Sequence, residues 1–138
     1  MDLLGVYWPI RGEPDLQDMY AGLTAAGVKL ALPLITDHQS PLQFAAWTPG
    51  QAMVLDRWGI ATPVATTLVA PHALLVPCLG FNDERFRLGY GGGYYDRTLA
   101  QAPRQTAIGV AHESGRTAFA AQIHDIAMDV IITEAGPV

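Results

Sequence analysis

Short apolar runs alternate with helical patterns along this chain, and this alternation most constrains the fold. The predicted strands cover residues 3–10, 28–35, 41–47, 73–81, 106–112 and 129–134, and the predicted helices cover residues 15–27, 93–102 and, briefly, 117–123. Residues 48–64 carry too many Pro and Gly for a regular element and predict a surface loop. Such alternation is typical of a mostly parallel sheet covered on both faces. We therefore predict one α/β domain over residues 1–138, a three-layer α/β/α arrangement of Rossmann-like type.

Composition narrows the possible partners and the compartment. With 138 residues, 50% hydrophobic and only 15% charged, the chain has enough apolar matter for one core and is not predicted to be disordered. A net charge of -5, a single lysine (Lys29) and scattered arginines argue against a nucleic-acid groove. No apolar stretch predicts a membrane span, and the N-terminus does not resemble a signal peptide. Together with the lone Cys78, these features predict a cytoplasmic protein without nucleic-acid or membrane partners.

A glycine-rich run, RLGYGGGYYDR at residues 87–97, follows the most apolar predicted strand and opens a predicted helix. In open α/β sheets, ligands bind at this carboxyl edge, and bare glycines let phosphate oxygens approach the backbone. The run is not a P-loop, and Tyr94 stands where the third glycine of G-x-G-x-x-G would be. From the residues alone, two interpretations stay equally open: a phosphate or nucleotide loop, and a structural turn with packed tyrosines.

Longer stretches around this run resemble the 5-formyltetrahydrofolate cyclo-ligase family, also called methenyltetrahydrofolate synthetases. The resemblance is carried by LVPCLGFNDERFRLGYGGGYYDRTLA, by AIGV, by HDIAMDVIITE and by YWPIRGEPD near the start of the chain. It spans residues 6–134, and the glycine-rich block is highly specific to that family.

The resemblance implies an ATP- and Mg²⁺-dependent conversion of 5-formyltetrahydrofolate to 5,10-methenyltetrahydrofolate through a phosphorylated formyl oxygen. It implies catalytic roles for Glu13, Arg87 and Tyr94, and folate contacts from Trp8, Glu13 and the stretch Gly91, Gly92, Gly93 and Tyr94. Mg²⁺ would be held by Asp96 and Asp125, since this ion prefers hard oxygen ligands. The residues implied to bind ATP are Arg87, Leu88, Gly89, Tyr90, Gly91, Gly92, Gly93, Tyr94 and Tyr95.

Each of these residues also has a simpler structural interpretation. Asp96 fits the first turn of a helix, Asp125 fits an ordinary N-cap or loop acid, and Glu13 before Pro14 fits helix-start chemistry. Tyr94 and Tyr95 fit as packing aromatics, Cys78 fits as a core thiol, and Trp58 fits either the pterin cleft or a cover over the core.

Two departures from the family pattern affect the expected activity. Family members carry a helical segment with Lys and Arg before the first strand, whereas here Met1 directly precedes that strand, and Thr62 replaces an acid found in many members. Two lost charge-assisted phosphate contacts, at about 1.5–3 kcal/mol each, predict an ATP affinity lower by a factor on the order of a hundred. We therefore expect impaired cyclo-ligase activity, with a non-catalytic folate- or nucleotide-binding protein as the alternative.

Overall fold

The computed structural model describes residues 3–10, 12–89 and 92–138. Among these residues the α-helices are α1 (Gln17–Ala25) and α2 (Tyr94–Leu99), with a 3₁₀ turn at Glu113–Gly115. The strands, in chain order, are β1 (Leu3–Gly5), β2 (Lys29–Leu34), β3 (Gln43–Trp47), β4 (Met53–Leu55), β5 (Ala61–Pro63), β6 (Leu68–Val69), β7 (Ala73–Pro77), β8 (Gly80–Phe81), β9 (Arg87–Leu88), β10 (Thr106–Val110), β11 (Val130–Thr133) and β12 (Gly136–Pro137).

Eight of these strands form one sheet in the order β12-β11-β10-β7-β1-β2-β3-β6. The five central strands, from β11 to β2, are mutually parallel, while β12 and β3 pair antiparallel with their neighbours. Two small hairpins, β4 with β5 and β8 with β9, lie outside this sheet. The predicted α/β class with a mostly parallel sheet is therefore confirmed.

The central strand β7 is buried along its whole length and contributes side chains to the cores on both faces of the sheet. Ala73 and Leu75 belong to the core that includes Tyr20 of α1, whereas Leu74 and Val76 belong to the core that includes Leu99 of α2. Because side chains alternate along a strand, the two cores lie on opposite faces. The two helices therefore cover opposite faces of the sheet, as a three-layer arrangement requires.

The chain leaves the two central strands in opposite directions. From β1 it crosses through α1 to β2 on one side, and from β7 it crosses through α2 to β10 on the other. In open α/β sheets, the carboxyl ends of strands at such a reversal form the crevice where ligands bind. The residues that follow β1 and β7 are therefore the ones the topology brings to this crevice.

Helix α1 ends where its sequence predicts. Gly27 has φ +93°, and the Val28 and Gly27 N–H groups donate to the carbonyls of Leu23 and Thr24, at 3.0 Å each. A left-handed residue after the last turn is a common helix stop and favours glycine. The turn delivers the chain directly into β2.

Three local predictions differ from the structure. Residues 48–64, predicted as a loop, contain the β4–β5 hairpin, whose turn is held by Asp56 Oδ1 accepting from the Trp58 and Ile60 N–H groups. Residues 117–123, all of which the structure describes, form no helix. The predicted strand 3–10 is regular only over Leu3–Gly5, and Gly136–Pro137 adds an unpredicted edge strand.

In the described part of the chain, neither helix has the length and hydrophobicity needed to cross a membrane.

Candidate functional site

Arg87 lies at the crevice because a hairpin folds it back onto the carboxyl end of β7. Its Nε donates to the Pro77 carbonyl at 3.2 Å, and its guanidinium carbon lies 5.2 Å from the centre of the Tyr95 ring. A side chain at Gly89 would displace this guanidinium, so glycine there leaves room for the arginine to lie as it does. The arginine is thus held in place by backbone and aromatic contacts.

Glu13 reaches the same crevice from the chain that follows β1. Its Oε1 accepts from the Ile10 N–H at 2.9 Å, and its own N–H donates to the Ile10 carbonyl at 3.0 Å. Helix α1 begins only at Gln17, so Glu13 does not serve the helix start that its position before Pro14 suggested. This carboxylate instead closes a turn beside the sheet edge.

Burial and charge oppose each other at Glu13. Burial raises the pKa of this carboxyl above its usual range, while the Ile10 N–H and the positive charge of Arg87 pull the pKa down. Burial also raises the pKa of Tyr95, against the opposing effect of Arg87. Glu13 therefore interacts electrostatically with Arg87, which also affects Tyr95, and the sequence places Glu13 74 or more residues before these two. A half-buried carboxylate beside a fixed guanidinium is suited to accept a proton near a developing negative charge.

The glycine-rich run is partly strand, partly turn and partly helix, rather than the continuous loop predicted for residues 87–95. Leu88 belongs to β9 and is 42% exposed, Gly93 has φ +69° before α2, and Tyr94 and Tyr95 are the first residues of α2. The Tyr94 ring fills the space where a Gly92 side chain would lie. Tyr90 and Gly91 lie outside the described residues.

Asp96 contacts the backbone segment that carries Asp125. Asp96 Oδ1 accepts from the N–H of Ile126, the residue after Asp125, at 3.1 Å, and Asp125 Oδ2 accepts from the Gln122 N–H at 2.7 Å. Asp96 makes no side-chain hydrogen bond that caps α2, so its structural role is to bind this neighbouring segment. Among the described residues, no group of three or more His, Cys, Asp and Glu forms a metal cluster.

Trp8 lies beyond β1 and is half-buried. Its ring meets Trp47 edge to face, with ring centres 6.0 Å apart, and Trp47 meets Tyr20 in the same way at 5.9 Å. Trp58, by contrast, is 37% exposed on the β4–β5 hairpin, where Arg57 stacks on it. Trp58 is therefore not one of the buried core residues.

Cys78 is buried in the core and is a free thiol, as its apolar neighbours predicted. Burial raises its pKa, against the opposing effect of Arg87. The thiol is thus held in its neutral form next to the candidate site.

Three residues with a part in this geometry, Tyr7, Tyr20 and Arg97, were not singled out from the sequence. The Tyr7 hydroxyl donates to the Pro14 carbonyl at 2.7 Å, which holds the segment that carries Glu13, and the Tyr20 hydroxyl donates to the Tyr7 carbonyl at 2.7 Å. Arg97 donates to the Gly92 carbonyl at 2.9 Å. The position of Arg97 one turn after the glycines was the only feature of the sequence that suggested this hydrogen bond.

Comparison with known proteins gives a consistent assignment. A model of the "5-formyltetrahydrofolate cyclo-ligase family" matches residues 2–134. A 5-formyltetrahydrofolate cyclo-ligase of Mycolicibacterium smegmatis is 30% identical over 92% of this chain and 71% of its own length. One from Escherichia coli K12 is 30% identical over 80% of this chain and 65% of its own length.

Two solved structures share the fold. The 5,10-methenyltetrahydrofolate synthetase of Aquifex aeolicus superposes with a TM-score of 0.80 at 28% identity, over 99% of this chain and 70% of that one. That of Mycoplasma pneumoniae superposes with a TM-score of 0.72 at 25% identity, over 95% of this chain and 72% of that one. Since the family model covers nearly the whole chain and both structures share its architecture, this chain belongs to the 5-formyltetrahydrofolate cyclo-ligase family, a family of enzymes.

Proposed function

We propose that this chain catalyses the ATP- and Mg²⁺-dependent conversion of 5-formyltetrahydrofolate to 5,10-methenyltetrahydrofolate in the cytoplasm. The observation that carries the proposal is the fixed position of Arg87, which the Pro77 carbonyl and the Tyr95 ring hold at the carboxyl end of β7 and whose charge lowers the pKa of Glu13. Membership of the cyclo-ligase family supplies the reaction type. The free, buried Cys78 is in keeping with a reducing compartment.

The reaction consumes one ATP and one 5-formyltetrahydrofolate and yields ADP, phosphate and the cyclised product. When bound, ATP supplies the phosphoryl group that turns the formyl oxygen into a leaving group. The N10 nitrogen then bonds to the formyl carbon and loses its proton, while the C–O bond breaks and phosphate leaves. The chain must therefore stabilise negative charge on the phosphoryl oxygens and accept a proton near N10.

Arg87 and Glu13 have the properties that these two tasks require. The Arg87 guanidinium is fixed by Pro77 and Tyr95, so little ordering is needed when it meets a phosphoryl group. Burial raises the pKa of Glu13, which makes its carboxylate a stronger base than an exposed one. Tyr94, packed on Gly92 beside this edge, is placed to present an aromatic face or its hydroxyl to the substrates. Trp8, half-buried beyond β1, offers a second aromatic surface for a flat pterin.

The donor chemistry of Asp96 and Asp125 fits Mg²⁺. Asp96 Oδ2 and Asp125 Oδ1 have no hydrogen-bond partner among the described residues, so each carboxylate keeps one oxygen available. Two carboxylates together with phosphate and water are a sufficient set for this ion. These residues would hold the ion beside the phosphates, where it would offset their charge.

Ligand binding and turnover of the purified chain test this proposal. 5-Formyltetrahydrofolate should raise the Tm, because a ligand that binds only the folded state stabilises that state. With ATP and Mg²⁺ added, the absorbance of the methenyl product should appear, and it should depend on both. A shift with folate but without product would favour a folate-binding protein. An unchanged Tm at millimolar folate, ATP and Mg²⁺, without product, would refute the proposal.

A further inference from the structure

The turn between β2 and β3, residues 35–42, rests on helix α2. Arg97 donates from Nε to the Ser40 carbonyl at 3.3 Å and from Nη2 to the His38 carbonyl at 3.0 Å. One residue further on, Thr98 Oγ1 accepts from the Leu42 N–H at 2.9 Å and donates to the Tyr94 carbonyl at 2.6 Å. Two adjacent residues of one short helix thus hold the second half of this turn, at residues 38, 40 and 42.

The same guanidinium also holds the backbone at the start of α2. Its Nη1 donates to the Gly92 carbonyl at 2.9 Å, and its carbon lies 5.0 Å from the centre of the Tyr94 ring. A side chain on Gly93 would come within 2.8 Å of Nη1, so the bare backbone there leaves room for the arginine. One side chain therefore links two segments that are more than fifty residues apart in the chain.

The β2–β3 turn is internally ordered, so it offers Arg97 a firm support. Asp37 accepts from the Gln39 N–H at 2.8 Å with Oδ1 and from the Ser40 hydroxyl at 2.8 Å with Oδ2. These hydrogen bonds hold the pKa of Asp37 below its usual range. The two carbonyls that Arg97 binds belong to this ordered turn.

We propose that Arg97 is a positioning residue, which fixes Gly92 and Gly93 against the β2–β3 turn and so preorders the backbone that meets the nucleotide. The inference rests on the proposed function, since it takes that backbone to be the ATP-contacting part of the chain. Three of the five guanidinium donors are already given to carbonyls, so the side chain acts on the ligand through Gly92. A planar fork is required to bind three carbonyls at once, and a lysine ammonium cannot reproduce it.

Kinetics of Arg97→Met and Arg97→Lys test this role, with Arg104→Met as the matched control. Arg104 also binds a backbone carbonyl, that of Ala127, so its loss removes the same charge and a similar contact elsewhere. Arg97→Met should raise KM for ATP about tenfold, with a smaller change in kcat and in KM for folate, because a misordered backbone weakens nucleotide binding. Arg97→Lys should recover part of this loss, and Arg104→Met should match the wild type.

Hydrogen exchange of the ligand-free protein tests the same role without any activity. In Arg97→Met, amide exchange should speed up both in residues 38–42 and in residues 92–95, while Arg104→Met leaves both unchanged. Unchanged exchange in Arg97→Met would overturn the inference, whatever the kinetics, and a raised KM with unchanged exchange would mean direct contact with the nucleotide. A wild type without turnover rejects the proposed function, whereas an active wild type with an equally active Arg97→Met rejects the positioning role alone.

Discussion

The two ends of the sheet differ in charge. At the amino end, a cavity of about 730 Å³ lies between α1 and the starts of β1 and β2, and Lys29 is the one titratable group among its described lining residues. At the carboxyl end, the charge of Arg87 lowers the pKa of both Glu13 and Tyr95 against the effect of burial. The described lining of the amino-end cavity has no pair of opposite charges, whereas the carboxyl end brings Glu13 and Arg87 under mutual electrostatic influence. Chemistry is therefore expected where the topology gathers charge, and not at the amino-end cavity.

The strongest test of this contrast is the loss of Arg87. Arg87→Met should lower turnover by about 10²–10³-fold, because one preorganised donor to a developing charge is typically worth that much. Arg57→Met, which removes the same charge from the β4–β5 hairpin, is the control and should leave turnover near wild type. Steady-state rates with saturating ATP, together with the Tm of each variant, provide the measurement. Equal rates for the two variants would dismiss the carboxyl end as the site.

The next largest effect is expected from the two aspartates. Asp96→Asn and Asp125→Asn keep an oxygen for the Ile126 and Gln122 N–H groups but remove the charge. Loss of one charge-assisted contact should weaken Mg²⁺-dependent ATP binding by about ten- to a hundredfold, with little change in Tm in buffer.

The measurement is calorimetric ATP titration with and without Mg²⁺. Asp129→Asn, which retains an acceptor for the Ala107 N–H, controls for the change in charge. If both site variants kept the Mg²⁺ dependence of the wild type, Asp96 and Asp125 would have only structural roles.

A smaller, pH-dependent effect is expected at Glu13. Because burial raises its pKa in the folded state, ionised Glu13 costs stability, and this cost is present at high pH and disappears as the pH falls below the ordinary pKa. Glu13→Gln should therefore have a higher Tm than the wild type at pH 8, and the difference should shrink by pH 4. Turnover of the wild type should fall as Glu13 becomes protonated, and the variant should lack this acid limb. A Tm difference that is constant with pH would show that the carboxyl is not desolvated.

The smallest effect is expected at the amino end. Thr24 Oγ1 is buried at the cavity without a hydrogen-bond partner among the described residues. Thr24→Val should thus be neutral or stabilising by about 1 kcal/mol, because a buried polar atom without a partner is costly. Turnover should stay within about twofold of wild type, since Thr24 lines the amino-end cavity and not the carboxyl edge that carries Arg87. A several-fold change in the turnover of Thr24→Val would contradict the expectation that the chemistry takes place at the carboxyl end alone.

The parallel core was predictable from the sequence because its strands are continuous apolar runs. β7 is buried on both faces, and the glycine stop of α1 falls where the sequence puts it. The β4–β5 hairpin was not predictable, because its strands have three residues each and its turn depends on the Asp56 side chain. Such short strands leave no periodic pattern.

Residues 117–123 were predicted to form a helix, and the structure has none there. Their alanines and Phe119 suggest a helix, yet the Thr117 N–H donates to the Phe81 carbonyl and the Phe119 carbonyl accepts from Asn82. Ile123, the last residue of the predicted helix, is 92% exposed. Tertiary hydrogen bonds here outweigh local propensity.

The candidate site was likewise predictable from the sequence only in part. The glycine-rich block indicated Arg87 from its motif, but the partnership with Glu13 follows from the pairing of β1 with β7, which no local pattern encodes. The contacts of Arg97 could not be predicted from the sequence either. The carbonyls that it binds belong to a turn that comes near only in the folded chain.

The place of β1 between β2 and β7 has a consequence for how the protein is made. Leu4 pairs with Leu30 of β2, 26 residues further along, whereas its partner in β7, Ala73, is 69 residues further along and is made much later. Contacts of such long range close slowly, because loop entropy must be lost before the contact forms. A nascent chain released or stalled before β7 contains only β1, β2, β3 and β6 of the main sheet, and it would have no crevice. Assembly of the crevice is therefore tied to the slowest pairing in the sheet, and partly folded chains are expected to lack the site altogether.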